Sequence, residues 1–495
     1  MDFVFIAPFL AAIAYGSKML SADGDPARHI AVGDYVLRTM SIPRQDVFSH
    51  TMAGQPLVVY QWLGEVATAL AFRVAGPAGP VLVHGAIIAS TFCVVFANIR
   101  ARNVRVALAL VITLAAAGLS MMHWLVRPHV FTFLGLAATC AVLEAWWHGR
   151  ARPRVLCLLP LAMLAWANVH GGFLIGFVVM GVYLASDLAA LALTPRAGQA
   201  LERLRQLLPV VAVSGVASLL NPSGGTSVAV LSQYPGLIVN RTDEYMSPNF
   251  HEAMFWPFLV VLVIVAAALA WSRRRPSLPE GSIVLVLIAA SLYSARNIPL
   301  ALIVLAPPLA SQLSALPHVQ LRGPLARFAR SVHERGMQLE RVETMLRAGW
   351  WSTAVALLVS TIGVVQWHDG VSAPIGVRFD PLLQPVAAVD YLAAHPPPGN
   401  GFNELVWGGY VLQRLWPSQR VFIDGQTDFY GEALLREYLD VVEVKPDWEA
   451  VLRRYGVGWA LIPSGSRLGD ALAAEPEWRV AYRDKTATVF ERSPS

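Results

Sequence analysis

Long apolar runs recur along most of this chain, broken by short polar segments rich in arginine and proline. A helix needs roughly 20 apolar residues to cross the hydrocarbon core of a bilayer, and somewhat fewer where polar groups are shielded inside a bundle. The runs predict spans near residues 3–20, 80–99, 104–122, 129–147, 155–169, 171–193, 207–221, 254–271, 281–295, 297–315 and 349–366, about eleven in all. The first, Phe3 to Leu20, lacks a basic start and an A-x-A cleavage site, so it reads as a span and not as a cleaved signal peptide. Residues 57–75, PLVVYQWLGEVATALAFRV, are nearly apolar enough to cross, but they carry Gln61, Glu65 and Arg73. An amphipathic helix lying at the interface fits them better.

After Trp367 the pattern changes. Pro374, Pro381, Pro385 and Pro396 to Pro398 punctuate the chain. Short apolar runs follow at 420–424, 459–463 and 486–492, alternating with helical patterns at 384–394, 432–442 and 447–455. The expected fold is therefore a polytopic α-helical membrane protein with a small C-terminal α/β domain. The membrane domain is read as residues 1–366, with a first outer loop 21–79 that contains the interfacial helix 57–75. Residues 367–495 form the second domain. No internal repeat is visible.

Charge gives this layout a direction. Arginines gather at Arg100, Arg102 and Arg105, at Arg150, Arg152 and Arg154, at Arg196, Arg203 and Arg205, at Arg273 to Arg275, and from Arg322 to Arg347. These are the loops after every second span. The positive-inside rule then places the N-terminus in the cytoplasm and the C-terminal domain on the extracytoplasmic face of the cell (inner) membrane. Counting 57–75 as a span would put every cluster on the wrong side. Overall the chain of 495 residues is 55% hydrophobic and 14% charged, a balance far from that of soluble domains. Its net charge of +5 lies in the loops, so no nucleic-acid surface is indicated. Cys93, Cys140 and Cys157 all fall in apolar segments and offer no disulfide framework or thiolate metal motif.

Candidate chemistry collects at one set of span ends. The first outer loop supplies Asp23, Asp25, Arg28, His29 and Asp34; other outer turns supply His123, Arg127, His129, Asn168, His170, Asp243, Glu244 and Arg296. Ionisable groups at membrane depth are expensive and usually functional. Each also has a plainer reading. His123 and His129 can belong to an interfacial aromatic belt with Trp124, Arg127 can bind lipid phosphate, Asp243 and Glu244 can be a solvated turn, and Asn240-Arg241-Thr242 matches a glycosylation sequon by chance. Asp23-Gly24-Asp25-Pro26 can be a turn, but two carboxylates beside a membrane surface can also hold a divalent metal ion (Mg or Mn) or act as a general base.

The order of a first span, an acidic outer loop and an interfacial helix resembles the GT-C superfamily of membrane glycosyltransferases. Within it, the chain is similar to the oligosaccharyltransferase catalytic subunit through Asp25, Pro26, His29, Tyr35, Pro43, Asp46, Phe48 and Gly54. Trp407-Gly408-Gly409-Tyr410, followed by Arg420 to Gly425, resembles that family's Trp-Trp-Asp-Tyr-Gly segment and the strand after it. The resemblance implies transfer of a sugar from a polyprenyl-phosphate-type donor to a glycan, lipid or protein acceptor at the outer face. It implies Asp25 as base or metal ligand and Glu244 as a second acidic group. Gly408 stands where the family has Trp or Asp, so peptide-sequon recognition does not carry over. Physically, a phosphate at the interface needs cations, which Arg28, His29, Arg127, His129, His170 and Arg296 can supply. A transporter or flippase of a lipid-linked or polar solute and a non-catalytic membrane scaffold are the competing readings. The first predicts charges in mid-span and internal repeats, neither of which is seen.

Overall fold

The computed structural model describes residues 1–193, 197–231, 243–316, 334–336, 338, 340–342 and 350–493. Among them, seven helices are long and apolar enough to cross a membrane: Ala78–Ala101, Val106–His123, His129–Trp147, Gly171–Leu193, Ala253–Trp271, Ala295–Ser314 and Trp350–His368. Asp2–Ala14, Pro153–Val169 and Leu278–Tyr293 are shorter apolar helices of the same bundle. The chain is thus a multi-pass membrane protein, and every one of these helices falls on a run read from the sequence. The run at 207–221 is the second half of a longer helix, Ala197–Ser218. The sequon at 240–242, the Asp243 side chain and most of the arginine-rich stretch from Arg322 to Arg347 lie outside the described residues.

The first span is two helices, α1 (Asp2–Ala14) and α2 (Gly16–Ser21), broken at Tyr15. Then comes α3 (Asp25–Thr39), which starts with Pro26 in its first turn and stops at Met40 in the left-handed conformation. Proline suits that position because its missing N–H has no partner there in any helix. The helix expected at the interface begins at Trp62, not at residue 57, and forms α4 (Trp62–Ala75). Its 14 residues give a length of about 21 Å, short of the hydrocarbon core. It packs on α3 almost backbone to backbone. A Cβ at Gly33 would lie 2.1 Å from the Glu65 carbonyl oxygen, so only glycine fits. Two spans form the centre of the bundle, α5 (Ala78–Ala101) and Ala295–Ser314, with 61% and 72% of their apolar windows buried; Trp350–His368, at 6%, lies at its edge.

The far ends of these helices carry a buried ion cluster. Arg102 pairs with Glu144 and, at 2.7 Å, with Glu280; Arg150 and Arg274 flank the two carboxylates.

The C-terminal segment builds a four-stranded sheet of order β1 (Asn400–Asn403), β2 (Val457–Pro463), β4 (Ala487–Arg492), β3 (Trp478–Arg483). The β1 and β2 strands are parallel; the other neighbours are antiparallel. Strand β2 is buried on both faces. Trp459 and Leu461 enter one core with Ala27, Val32, Phe48 and Val59 of the segment between α2 and α4, while Ala460 and Ile462 enter a second core with Phe422, Leu434 and Tyr438. The run at 420–424, expected as a strand, makes only an isolated bridge between Val421 and Ser49. It threads between the two cores: Val421 joins the first, Phe422 and Ile423 the second.

Candidate functional site

Where the bundle meets the C-terminal segment, a cavity of about 990 Å³ opens. Of the thirteen residues singled out from the sequence, ten line it: Asp23, Asp25, Arg28, His29, His123, Arg127, His129, His170, Glu244 and Arg296; Asp34 pairs instead with Arg38 and Arg73, and Asn168 accepts a hydrogen bond from Trp62. They arrive from five separate stretches of chain, brought together because helix starts at one end of a bundle are neighbours in space. The C-terminal segment adds Gln426, Thr427 and Asp428 as a wall.

Asp25 occupies the first position of α3. Its backbone N–H donates to Asp23 Oδ1 at 2.7 Å. The Arg127 guanidinium bridges the two acids, one nitrogen 2.8 Å from Asp23 Oδ2 and the other 2.8 Å from Asp25 Oδ2. On the other side of Asp25 stands Gly425, where a Cβ would come within 2.0 Å of Asp25 Oδ1. Enclosure dominates the carboxyl's proton affinity. Burial, aided by the charge of Asp23, outweighs Arg127 and lifts the Asp25 pKa from 3.8 to about 6.

One turn further, Arg28 is 4% exposed and spends its donors inside the protein. Its Nε donates to Asp424 Oδ1 at 3.1 Å, Nη2 donates to Gln426, and Nη1 lies 3.6 Å from Glu65 Oε1. Burial works against its charge, but Asp424 and Glu65 more than compensate and hold it cationic. His29, also buried, shares Glu65: its Nδ1 stands 3.1 Å from Oε1. A carboxylate only accepts, so Nδ1 carries the proton in this pair. Glu65, Asp424 and Gln426 were not among the residues chosen from the sequence. Glu65 served there only as a reason to reject a span.

His170 has a defined tautomer. The Gly172 backbone N–H donates to its Nδ1 at 3.0 Å, and Thr132 Oγ1, which accepts from Trp166 Nε1, lies 2.8 Å from the same atom. The proton therefore sits on Nε2. Burial, reinforced by Arg296 and Arg127, pushes the His170 pKa down to about 3, so the ring is a neutral hydrogen-bond donor and not the phosphate cation expected of it. His129 Nε2 lies 2.9 Å from the His123 carbonyl, and its ring is 5.6 Å from His123 and 6.4 Å from His170. Arg296 stacks over Tyr245 at 4.5 Å. The backbone of 244–246 is tied to the turn at 294–295, and Glu244 reaches within 3.9 Å of His123. Asp428, enclosed in the wall, has a raised pKa, chiefly from burial.

No protein-family model matches the sequence, and no curated protein does. Solved structures do. The chain resembles oligosaccharyltransferase AglB from Archaeoglobus fulgidus in complex with an inhibitory peptide and a dolichol-phosphate, at 13% identity and TM-score 0.53, over 93% of this chain and 69% of that one. The apo form of the Archaeoglobus fulgidus oligosaccharyltransferase gives 12% and 0.56, over 94% and 70%. ArnT from Cupriavidus metallidurans bound to undecaprenyl phosphate gives 14% and 0.53, over 98% and 97%. At these identities the likeness is one of fold, and it bears out the expected polytopic helical membrane architecture with a small C-terminal α/β domain and its resemblance to the fold of the oligosaccharyltransferase.

Proposed function

We propose that this protein moves a sugar from a polyprenyl-phosphate-type donor to an acceptor at the extracytoplasmic face of the cell membrane. The observation that carries the reading is Asp25, set in a large cavity at one end of a membrane bundle, beneath a C-terminal wall and among fixed hydrogen-bond donors and cations. The solved structures that share its fold include complexes with dolichol-phosphate and undecaprenyl phosphate.

The chemistry follows from those groups. An acceptor hydroxyl gives its proton to the Asp25 carboxylate as its oxygen bonds to the anomeric carbon. The bond from that carbon to the phosphate oxygen breaks, and its electron pair leaves with the polyprenyl phosphate. A carboxylate with a pKa near 6 suits the task, being ionised at neutral pH yet more basic than an ordinary aspartate. The charge growing on the phosphate needs preorganised donors, and Arg296 and the His170 Nε2–H supply them. Arg28, whose donors are used up inside the protein, positions α3 against the wall. The orientation is supported by the arginine clusters: Arg102, Arg150 and Arg274 lie at the helix ends remote from the cavity.

The test compares cells carrying the wild-type protein and Asp25→Asn. Loss of a surface glycan together with accumulation of a prenyl-linked sugar is expected. Unchanged glycans at normal protein abundance would sink the role given to Asp25.

A further inference from the structure

Two adjacent acids on a loop next to a membrane invite a divalent cation. The donor atoms here argue otherwise. A hard divalent ion takes six or more oxygen ligands and keeps water in the positions the protein does not fill. Of the four carboxylate oxygens of Asp23 and Asp25, three are committed: Asp23 Oδ1 to the Asp25 backbone N–H, Asp23 Oδ2 and Asp25 Oδ2 to Arg127. The fourth, Asp25 Oδ1, faces Gly425 with too little room for even a methyl group on that residue. Among the described residues, no group of three or more His, Cys, Asp or Glu side chains is arranged to hold a metal. Between the two acids, where an ion would sit, stands a permanent positive charge.

Nor is Arg127 placed there loosely. Its own N–H donates to the Leu125 carbonyl at 2.8 Å, and its carbonyl accepts from Val130 at 3.1 Å, so the backbone is fixed on both sides of Pro128. Its guanidinium is held on two carboxylates by one nitrogen each, a fork geometry that a lysine cannot reproduce. Burial disfavours the charge, but Asp25 and Asp23 together hold it in place.

We propose that the Arg127 guanidinium replaces a divalent cation in this chain: it clamps Asp23 to Asp25, fixes the orientation of the Asp25 carboxylate and excludes metal from the pair. The proposal deepens the sugar-transfer reading and rests on it for its catalytic consequence, which is transfer without a metal. The exclusion itself is measurable without any transfer assay.

The experiment titrates Mn2+ alone into the purified full-length protein in detergent and follows the free-ion signal by electron paramagnetic resonance. The wild type is expected to take up no Mn2+ at the pair. Arg127→Gln, which removes the charge and frees two carboxylate oxygens, is expected to bind one Mn2+ with a Kd on the order of 10⁻⁴–10⁻³ M, the range of weak oxygen-ligand sites. Adding Asp23→Asn to Arg127→Gln should abolish that uptake. Wild-type binding that Asp23→Asn abolishes would overturn the proposal, as would a well-folded Arg127→Gln protein that gains no ion. Should Arg127→Gln fail to fold, the wild-type and Asp23→Asn titrations decide the matter by themselves. Failure of the sugar-transfer reading would instead appear as unchanged glycans in the Asp25→Asn cells, with the Mn2+ results unaffected.

Discussion

Asp25 is held ionised in a place that disfavours ionisation, so replacing it with asparagine should stabilise the protein. The pKa of Asp25 rises from 3.8 to about 6, with burial the largest cause. The difference between these values corresponds to about 3 kcal/mol of preference for the neutral form. Asparagine has the shape of that neutral form, and its Oδ1 can still accept from Arg127. The sign follows from the direction of the shift. A group whose folded pKa is raised contributes stability below its unfolded pKa, and that contribution is lost as pH rises through the folded value. At about pH 8 the wild type therefore bears the full cost and Asp25→Asn bears none; by about pH 4 the two converge. At about 1–2 °C per kcal/mol for a chain this long, the variant should melt about 3–6 °C higher at pH 8. Scanning fluorimetry of both proteins in detergent across this pH range measures it. A lower melting temperature for Asp25→Asn at pH 8, or a difference that does not shrink toward pH 4, would refute the account of Asp25 as a strained, enclosed carboxylate. A variant that is more stable, equally abundant and inactive is the pattern of a catalytic group, since strained functional sites lower stability.

The other expectations concern the same cavity. Sugar transfer should fall as pH drops through about 6, because protonated Asp25 cannot accept a proton; a pH profile on isolated membranes that stays flat to about pH 5 would remove Asp25 as the base. Glu65→Leu leaves Arg28 and His29 without their shared buried partner and should cost about 3–5 kcal/mol, seen as loss of folded protein on size-exclusion chromatography. Gly425→Ala drives a methyl group against Asp25 Oδ1 and should abolish transfer while lowering the melting temperature by several degrees, whereas Gly181→Ala, which meets no neighbour, should leave transfer intact.

The membrane layer was readable from the chain because lipid imposes a rule that soluble folds lack: a helix that crosses it must satisfy its own backbone and carry a long apolar surface. The polar site was readable for the complementary reason. Charged groups beside apolar runs are rare, and Asp25, Arg127 and Arg296 stand out there. The partners of those groups were hidden. Arg28 meets Asp424 across 396 positions of sequence, and no local pattern reports such a pairing. Glu65 looked like a defect in an apolar helix until its neighbours in space were known. The helix α3 was concealed by its own start, since Gly24-Asp25-Pro26 reads equally as a turn and as a helix beginning with proline in the first turn. The run at 420–424 has the composition of a strand, yet its residues divide between two cores and leave it almost no ladder to join.

The two buried arginines of the site divide its work. Arg28 joins α3, α4 and the segment 424–426 through Glu65, Asp424 and Gln426; Arg127 joins the loop before the span His129–Trp147 to the start of α3 through Asp23 and Asp25. Four carboxylates answer two guanidinium groups, so neither arginine is spare charge for a ligand. Each instead makes tolerable the burial of acids that would otherwise have to be protonated. The proton affinity of Asp25 is therefore not a property of the Asp23-Gly24-Asp25-Pro26 turn alone. It is set first by burial, to which the close approach of Gly425 contributes, and then by the opposed charges of Arg127 and Asp23; Gly425 is held in place by Arg28 through its neighbours Asp424 and Gln426. Loosening the C-terminal segment would admit water to Asp25 and return its pKa toward that of an ordinary aspartate. The C-terminal wall is thus part of what raises the proton affinity of Asp25, even though no residue of that wall touches the Asp25–Arg127 pair itself through a hydrogen bond.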